Sequence, residues 1–505
     1  MEIFLSLCLV TVATVLVLWF LSSSDDKAKT KKRLPPGPWT LPIIGSLHHL
    51  VGQLPHRALA ELSRRHGPLM YLKFGEVPTV VVSSAEAAAL VMKTNDPTFA
   101  DRGSSVALDI AGCGGKGIML APYSDRWRQM RKVCIVELLS AAQVRRMASI
   151  RAEEVAGLVR SLAASPAGST VNLSEKLPVL ANDIVARAAF GGKCAQQGEY
   201  LRELDEVMTL MGGFILADLF PSSKLVRWLG TGERRLRRSC GRIQRIIGNI
   251  IHDRRARRAA DGPRSKDDED LLDVLLRLQE EDSLTFPLTA EIIGVVIFDM
   301  FAAASETTGT TLEWAMSELL NNPKVMAKAQ LEVQEVLGPE RAAITNSDLG
   351  GLHYLRMVIM ETLRLHPAGV IILRGAREDC EILGYDIPKG TKVHINVFAI
   401  SRDSRYWKDP EAFKPERFEN NDVDYKGTHF DFIPFGAGRR QCPGILFGMS
   451  TLELALANLL YHFDWMLPDA PITKSVDMSE KFGLTVSRRS DLLLRPIPRV
   501  CSKDS

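Results

Sequence analysis

Ten residues near the C-terminal end, Phe435-Gly436-Ala437-Gly438-Arg439-Arg440-Gln441-Cys442-Pro443-Gly444, constrain this chain more than any other stretch. One cysteine sits in a loop whose glycines allow backbone angles that other residues resist. An apolar segment, residues 445–461, follows and reads as a helix. Such a loop can turn amide N–H groups toward one sulfur. Those N–H groups, the two arginines and the helix start all favour thiolate over thiol. With no second cysteine nearby, a thiolate suits one strong axial bond to a metal rather than a disulfide. A buried free cysteine at a helix start is the plain alternative.

The chain has 505 residues, enough for one large domain or two, and its 46% hydrophobic content supplies a sizeable core. A net charge of +3 is nearly balanced and argues against a nucleic-acid partner. The eight cysteines are scattered without a Cys-x-x-Cys pair, which excludes a disulfide framework and a zinc site and fits a reducing compartment.

Residues 3–21 form an almost unbroken apolar run of about the length a helix needs to cross a bilayer. Lys27, Lys29, Lys31, Lys32 and Arg33 follow it, so the positive-inside rule keeps the rest of the chain cytosolic. The acidic start, Glu2, favours a retained anchor over a cleaved signal peptide. Residues 1–22 are therefore expected to be a transmembrane anchor. Residues 23–45, basic and then proline-rich, are expected to be a stiff hinge.

Beyond the hinge, residues 69–74 and 79–82 read as two strands, and residues 99–120, with five glycines, as a flexible loop. Trp127-Arg128 lies early in a helix. The arginines between 234 and 258 read as a solvated helix face, with anionic lipid or a partner as the alternative. Pro287 and Thr289 open a helix of roughly thirty residues, about 45 Å long, that ends at Pro323. Its apolar centre fits a buried helix. Within it, Ala303-Ala304-Ser305-Glu306-Thr307-Thr308 places an acid and hydroxyls that must find partners or water. Back-bonding of the hydroxyls to helix carbonyls is one reading, and a kink that holds water is the other. Glu361 and Arg364 share a helix face. Residues 385–387 and 391–396 read as a hairpin.

The cysteine loop resembles the haem-binding signature of the cytochrome P450 family, Phe-Gly-x-Gly-x-Arg-x-Cys-x-Gly, at every fixed position. The resemblance extends over essentially the whole chain and is greatest to plant microsomal members of the seventy-one clan. It implies a mainly α fold with a small β region, the cytochrome P450 fold, over residues 46–505, preceded by the transmembrane helix. It implies haem (heme b) with Cys442 as its metal ligand, Phe435 against the sulfur, and Arg440, Trp127, Arg128 and Arg374 toward the propionates. Thr307 and Glu306 are implied to guide protons. Ala304 departs from the usual glycine of that pattern and narrows the groove. Glu361, Arg364 and Arg417 are implied to lock the fold as a buried network.

By the same resemblance, the expected reaction is monooxygenation at the endoplasmic reticulum membrane. NADPH electrons arrive through NADPH–cytochrome P450 reductase, and one oxygen atom of O2 enters a hydrophobic substrate. The pocket segments hold Val106, Leu108, Ile110, Phe214, Ile215, Phe298, Ala303, Val370, Ile371 and Phe482, which are apolar. A sesquiterpene or diterpene of plant defence is expected, and an aromatic or nitrogen-containing metabolite is the runner-up. The rivals from other classes are an oxygen-independent haem-thiolate isomerase or dehydratase and a non-catalytic haem-binding membrane protein.

Overall fold

A computed structural model describes residues 32–499 except 194, 213–214, 263, 266–267, 340, 342–343 and 469–474. The expected anchor, residues 1–22, lies outside the described residues, as does the hinge as far as residue 31. The rest of the hinge lies against the sheet: Lys32 pairs with Asp379 at 2.9 Å, and Tyr71 N–H donates to the Pro36 carbonyl at 2.9 Å.

The elements that position the site follow in chain order. They are α1 (Pro55–His66), β1 (Leu69–Phe74), β2 (Val77–Val82), α2 (Asp125–Val133), α3 (Leu173–Phe190), α4 (Gln197–Gly212), α5 (Gly232–Asp261), α6 (Ala290–Asn321), α7 (His353–Leu365), β3 (Ile371–Gly375), β4 (Lys392–Asn396) and α8 (Ile445–His462).

The long helix α6 starts where Thr289 caps it, its hydroxyl accepting from Ile292 N–H at 3.3 Å. Pro323 does more than stop α6, because it occupies the first turn of the next helix, where its missing N–H costs nothing. Although α6 and α8 are each long and apolar enough to cross a bilayer, both are packed inside the core. Side chains such as Leu312 and Met316 on α6 and Leu456 on α8 are fully buried, each stabilising the fold by about 1.5–3 kcal/mol. Helices α3 and α6 cross closely at Gly309, where an added Cβ would come within 3.0 Å of Pro178. Beside that crossing, Asn182 donates to the Ser305 hydroxyl at 3.1 Å.

The small sheet has strand order β1-β2-β4-β3. β1 and β2 form a hairpin with Leu69 opposite Val82, and β4 runs parallel to β2 with Lys392 beside Thr79. Its neighbour β3 is antiparallel, with Leu373 opposite His394. The expected hairpin between residues 385–387 and 391–396 does not form. Tyr385–Ile387 instead pairs with Cys380–Ile382, because Leu383 (φ 51) and Gly384 (φ 78) make the tight turn there.

Residues 99–120 are not all loop. Val106–Ala111 is helical, capped by the Ser105 hydroxyl, and buries Leu108 and Ile110. The arginine-rich α5 departs from a purely solvated face at Arg254, which is buried and pairs with Asp270 and Asp273, both at 2.7 Å, and at Arg258, half-buried against Asp273 and Glu280. Arg234, Arg237, Arg238, Arg255 and Arg257 are exposed.

Candidate active site

The loop before α8 folds tightly around its sulfur. Gly436 (φ 67) and Gly438 (φ 69) adopt left-handed angles, and a side chain at 438 would collide with the Met92 carbonyl oxygen. Asp96 accepts from Arg439 twice, at its backbone N–H (2.9 Å) and at its guanidinium (3.0 Å). Cys442 N–H donates to the Phe435 carbonyl at 2.9 Å, so the phenylalanine and cysteine close one turn. Burial pushes the Cys442 thiol up, while the Gly444 N–H and the Arg131 charge pull it down. The cation facing the sulfur is therefore Arg131, not Arg439 or Arg440.

Four arginines gather beside this loop. Arg102 donates to the Met119 and Leu373 carbonyls, both at 2.9 Å, and Arg131 donates to the Gln441 carbonyl. Arg374 reaches the Ala437 carbonyl at 3.3 Å, and its Nε is buried without a partner among the described residues. Arg440 donates to Ala100 at 2.7 Å and Ala121 at 2.6 Å. Trp127 lies under it, with the Arg440 guanidinium 4.2 Å from the ring centroid and the indole N–H on the Ile118 carbonyl at 2.8 Å.

None of the four forms an ion pair among the described residues. Burial depresses all of them: Arg102 to about 10, Arg440 to about 9, Arg131 below its usual value and Arg374 well below it, with repulsion from neighbouring arginines adding to the effect at Arg102, Arg374 and Arg440. Buried charges ordinarily have counter-charges. These four ask for anions that the described residues do not supply as ion pairs, and the two propionates of a haem would meet that need. The sulfur fits the same group. No cluster of three His, Cys, Asp or Glu side chains gathers among the described residues, so Cys442 suits a metal that brings its other ligands with it.

Arg128 is not part of this cluster. Its side chain is 60% exposed and pairs with Asp125 on the outer face of α2. Trp127 and Arg131, four apart, share the inner face, and Arg128 points about a quarter-turn away. Sequence reading also missed Arg102. The i, i+4 spacing from Trp127 carried a signal for Arg131. Nothing local marked Arg102.

The middle of α6 carries the other residues expected at the site. Ala303 and Thr307, one turn apart, are exposed on a helix otherwise buried there. The Thr307 hydroxyl donates to the Ala303 carbonyl at 2.7 Å, which is the back-bonded arrangement, and its lone pairs remain free to accept. Burial raises the Glu306 carboxyl to about 7; Asp205 and Glu313 add to the shift and Lys481 opposes it. Ala304 packs between the two largest apolar clusters, one of which also meets Phe435.

A cavity of about 110 Å³ lies between the sheet and Met211, Gly212, Asp218 and Leu219. Of the residues expected to line a pocket, Leu108, Val370, Ile371 and Phe482 do so. Ile110, Ile215 and Phe298 are buried in the core, and Phe214 lies outside the described residues. Behind the site, Arg364 grips Glu361 with two bonds of 2.7 and 2.9 Å, and Arg417 adds a third at 2.9 Å, so these residues serve the fold.

The chain matches the family Cytochrome P450 over residues 35–492. It is 49% identical to desmethyl-deoxy-podophyllotoxin synthase of Sinopodophyllum hexandrum, covering 98% of this chain and 97% of that one. It is 47% identical to ent-isokaurene C2/C3-hydroxylase of Oryza sativa subsp. japonica, over 99% of this chain and 98% of the relative. Zealexin A1 synthase of Zea mays is 47% identical over 97% of each chain. Together with the buried sulfur and the unpaired arginines, these matches establish that the chain belongs to the cytochrome P450 family, in its plant seventy-one clan, as a haem-thiolate oxidoreductase that takes its electrons from a reductase.

Proposed function

We propose that this monooxygenase inserts one oxygen atom from O2 into a sesquiterpene or diterpene of plant defence, at the cytosolic face of the endoplasmic reticulum membrane. The observation that carries the substrate class is the cavity wall of Phe74, Leu108, Val370, Leu373 and Phe482, which binds an apolar body by excluding water. Two of the relatives just named are an ent-isokaurene hydroxylase and a zealexin synthase. The relative named for desmethyl-deoxy-podophyllotoxin favours an aromatic substrate as the second reading.

Haem, when bound, supplies the oxygen-activating redox chemistry. Cys442 would hold it as thiolate, with Phe435 beside the sulfur, and Arg102, Arg131, Arg374 and Arg440 would take its two carboxylates, the Arg440 guanidinium resting on Trp127. On α6, the Thr307 hydroxyl gives its proton to the Ala303 carbonyl and would accept a hydrogen bond from a water through its free lone pairs. Glu306, poised near neutrality, exchanges protons with solvent past Asp205 and Lys481. Ala304 and Ala303 set how closely the substrate approaches.

Membrane attachment through residues 1–22 is supported by an apolar surface on the described part. Trp39 and Ile43 in the hinge and Val51 just beyond it are 64–78% exposed, and Leu225, Trp228 and Leu229, after α4, are 59–74% exposed. The β1–β2 turn ties both groups together, with Gly75 N–H on the Ile44 carbonyl and Glu76 N–H on the Leu219 carbonyl. Such a contiguous patch suits a lipid surface.

The test is incubation with NADPH, the reductase and ¹⁸O2 against a terpene panel and a lignan panel. One ¹⁸O atom in a terpene product supports the reading. Turnover of lignans alone transfers it to the second reading, and conversion without O2 or NADPH replaces it by an isomerase or dehydratase.

A further inference from the structure

The cavity has one chemically discordant wall. Its floor is a face of the sheet, to which β2, β3 and β4 present alternate residues. A sheet face under an apolar cavity calls for valine, isoleucine or leucine. On β4 this chain instead places Lys392 and His394 there.

Neither side chain has a partner among the described residues. His394 stacks on Phe74 with ring centroids 6.3 Å apart, and its Nδ1 is buried without a hydrogen bond. Burial holds the imidazole neutral, pushing it down to about 3, so it keeps one N–H to donate. The Lys392 ammonium is in no ion pair, and burial lowers it while the Asp218 charge raises it. Asp218 lines the same cavity, where its carboxylate accepts from Ala107 N–H at 3.2 Å. Arg102, also in the lining, donates to two backbone carbonyls and is assigned above to a haem carboxylate. The wall thus offers one unpaired cation and one unpaired neutral donor, two residues apart on one strand face.

We propose that Lys392 and His394 form a recognition subsite for a carboxylate on the substrate, so that the enzyme takes an amphipathic monocarboxylic acid rather than a bare hydrocarbon. The inference deepens the terpenoid reading and rests on it for the fate of the rest of the molecule. A carboxylate has two oxygens, one for the ammonium and one for the imidazole N–H. An alcohol would satisfy one donor and leave the charge unanswered. A diphosphate is disfavoured by Asp218, which repels further negative charge. Leu373 and Leu484, on the cavity wall, pack in the same apolar cluster as Ala304, so a molecule held at β4 extends its apolar body toward α6. Such a substrate already bears an oxidised carbon, so an earlier oxidation must supply it.

Binding alone tests this. The full-length, haem-loaded protein is dialysed to equilibrium against radiolabelled octanoate and octanol, which match in length and differ in the head group. A charge-assisted hydrogen bond is worth about tenfold in affinity. Octanoate is expected to bind at least ten times tighter than octanol. Lys392→Met should erase the preference, Lys392→Arg should retain it, and His394→Phe, which keeps the stacking on Phe74, should reduce it about threefold. Haem content reports folding in each variant. Absence of saturable octanoate binding, equal affinity for the two probes, or a preference that survives Lys392→Met overturns the proposal. Oxidation of a terpene hydrocarbon by the wild type alongside such a result leaves the terpenoid reading standing and removes the subsite alone.

Discussion

Trp127 and Arg131 stand four residues apart on the inner face of α2, with the guanidinium 5.5 Å from the indole centroid and turned toward the cysteine loop. The pair assigns the work of α2 to Arg131 and leaves Arg128 in solvent. Arg131→Leu should therefore lower haem retention, read as the ratio of Soret to protein absorbance after purification, by severalfold. Arg128→Ala should keep the wild-type ratio. Equal losses in both would place the propionate contact at Arg128 after all.

Cys442 carries the axial bond in the reading above. In the reduced, carbon monoxide-bound protein, a strongly red-shifted Soret band is expected, and Cys442→Ala should abolish it. Cys134, although buried, cannot substitute, because burial pushes its thiol far above neutrality and no loop N–H group is directed at it. A band of the histidine-ligated kind in the wild type would remove the thiolate from the mechanism.

Glu361 binds Arg364, Arg417 and the Lys414 N–H (2.8 Å), and the side chains of Glu361 and Arg364 are inaccessible to solvent. Removing one member leaves its partners charged and dry. Glu361→Ala should destabilise the fold by about 3–5 kcal/mol. The pair Arg405–Asp403, exposed on its arginine side, is the control, since screened surface pairs contribute about 0–1 kcal/mol. Denaturant titration of the holoenzyme separates the two. A loss at Glu361 no larger than that at Asp403 would make the network incidental.

Much of this was legible because it is local. The cysteine loop carries its glycines within ten residues, α6 shows its cap, its apolar centre and its terminal proline in order, and Glu361 and Arg364 lie one turn apart. The arginine cluster was only half legible. Arg102, Arg131, Arg374 and Arg440 come from four separate segments, and burial without a counter-charge emerges only when tertiary packing brings them together. The misplaced hairpin has a different cause. Both Tyr385–Ile387 and β4 alternate like strands, and their pairing was decided by the Leu383-Gly384 turn and by a parallel partner some three hundred residues away. The Lys392–His394 wall was invisible for the same reason, because a strand's alternation does not say what its polar face meets.

Glu306 gives the last prediction, in pH. Its carboxyl lies at about 7 in the folded chain against an ordinary 4.5, raised first by burial. Between those values the folded state keeps a proton that the unfolded state has released. Stability must therefore fall as pH rises through this window and level off above 7. At about 1.4 kcal/mol per unit the drop is at most about 3.5 kcal/mol. Glu306→Gln, which never ionises, should lack this slope, so the wild type should lose stability relative to it between pH 5 and pH 8 in parallel melts. The same variant should lower NADPH-coupled product formation by about a hundredfold at neutral pH, the range for loss of a positioned proton donor. A wild type whose stability stays flat over that interval relative to the variant would show that Glu306 is already ionised when folded, and would end its role as a proton carrier near neutrality.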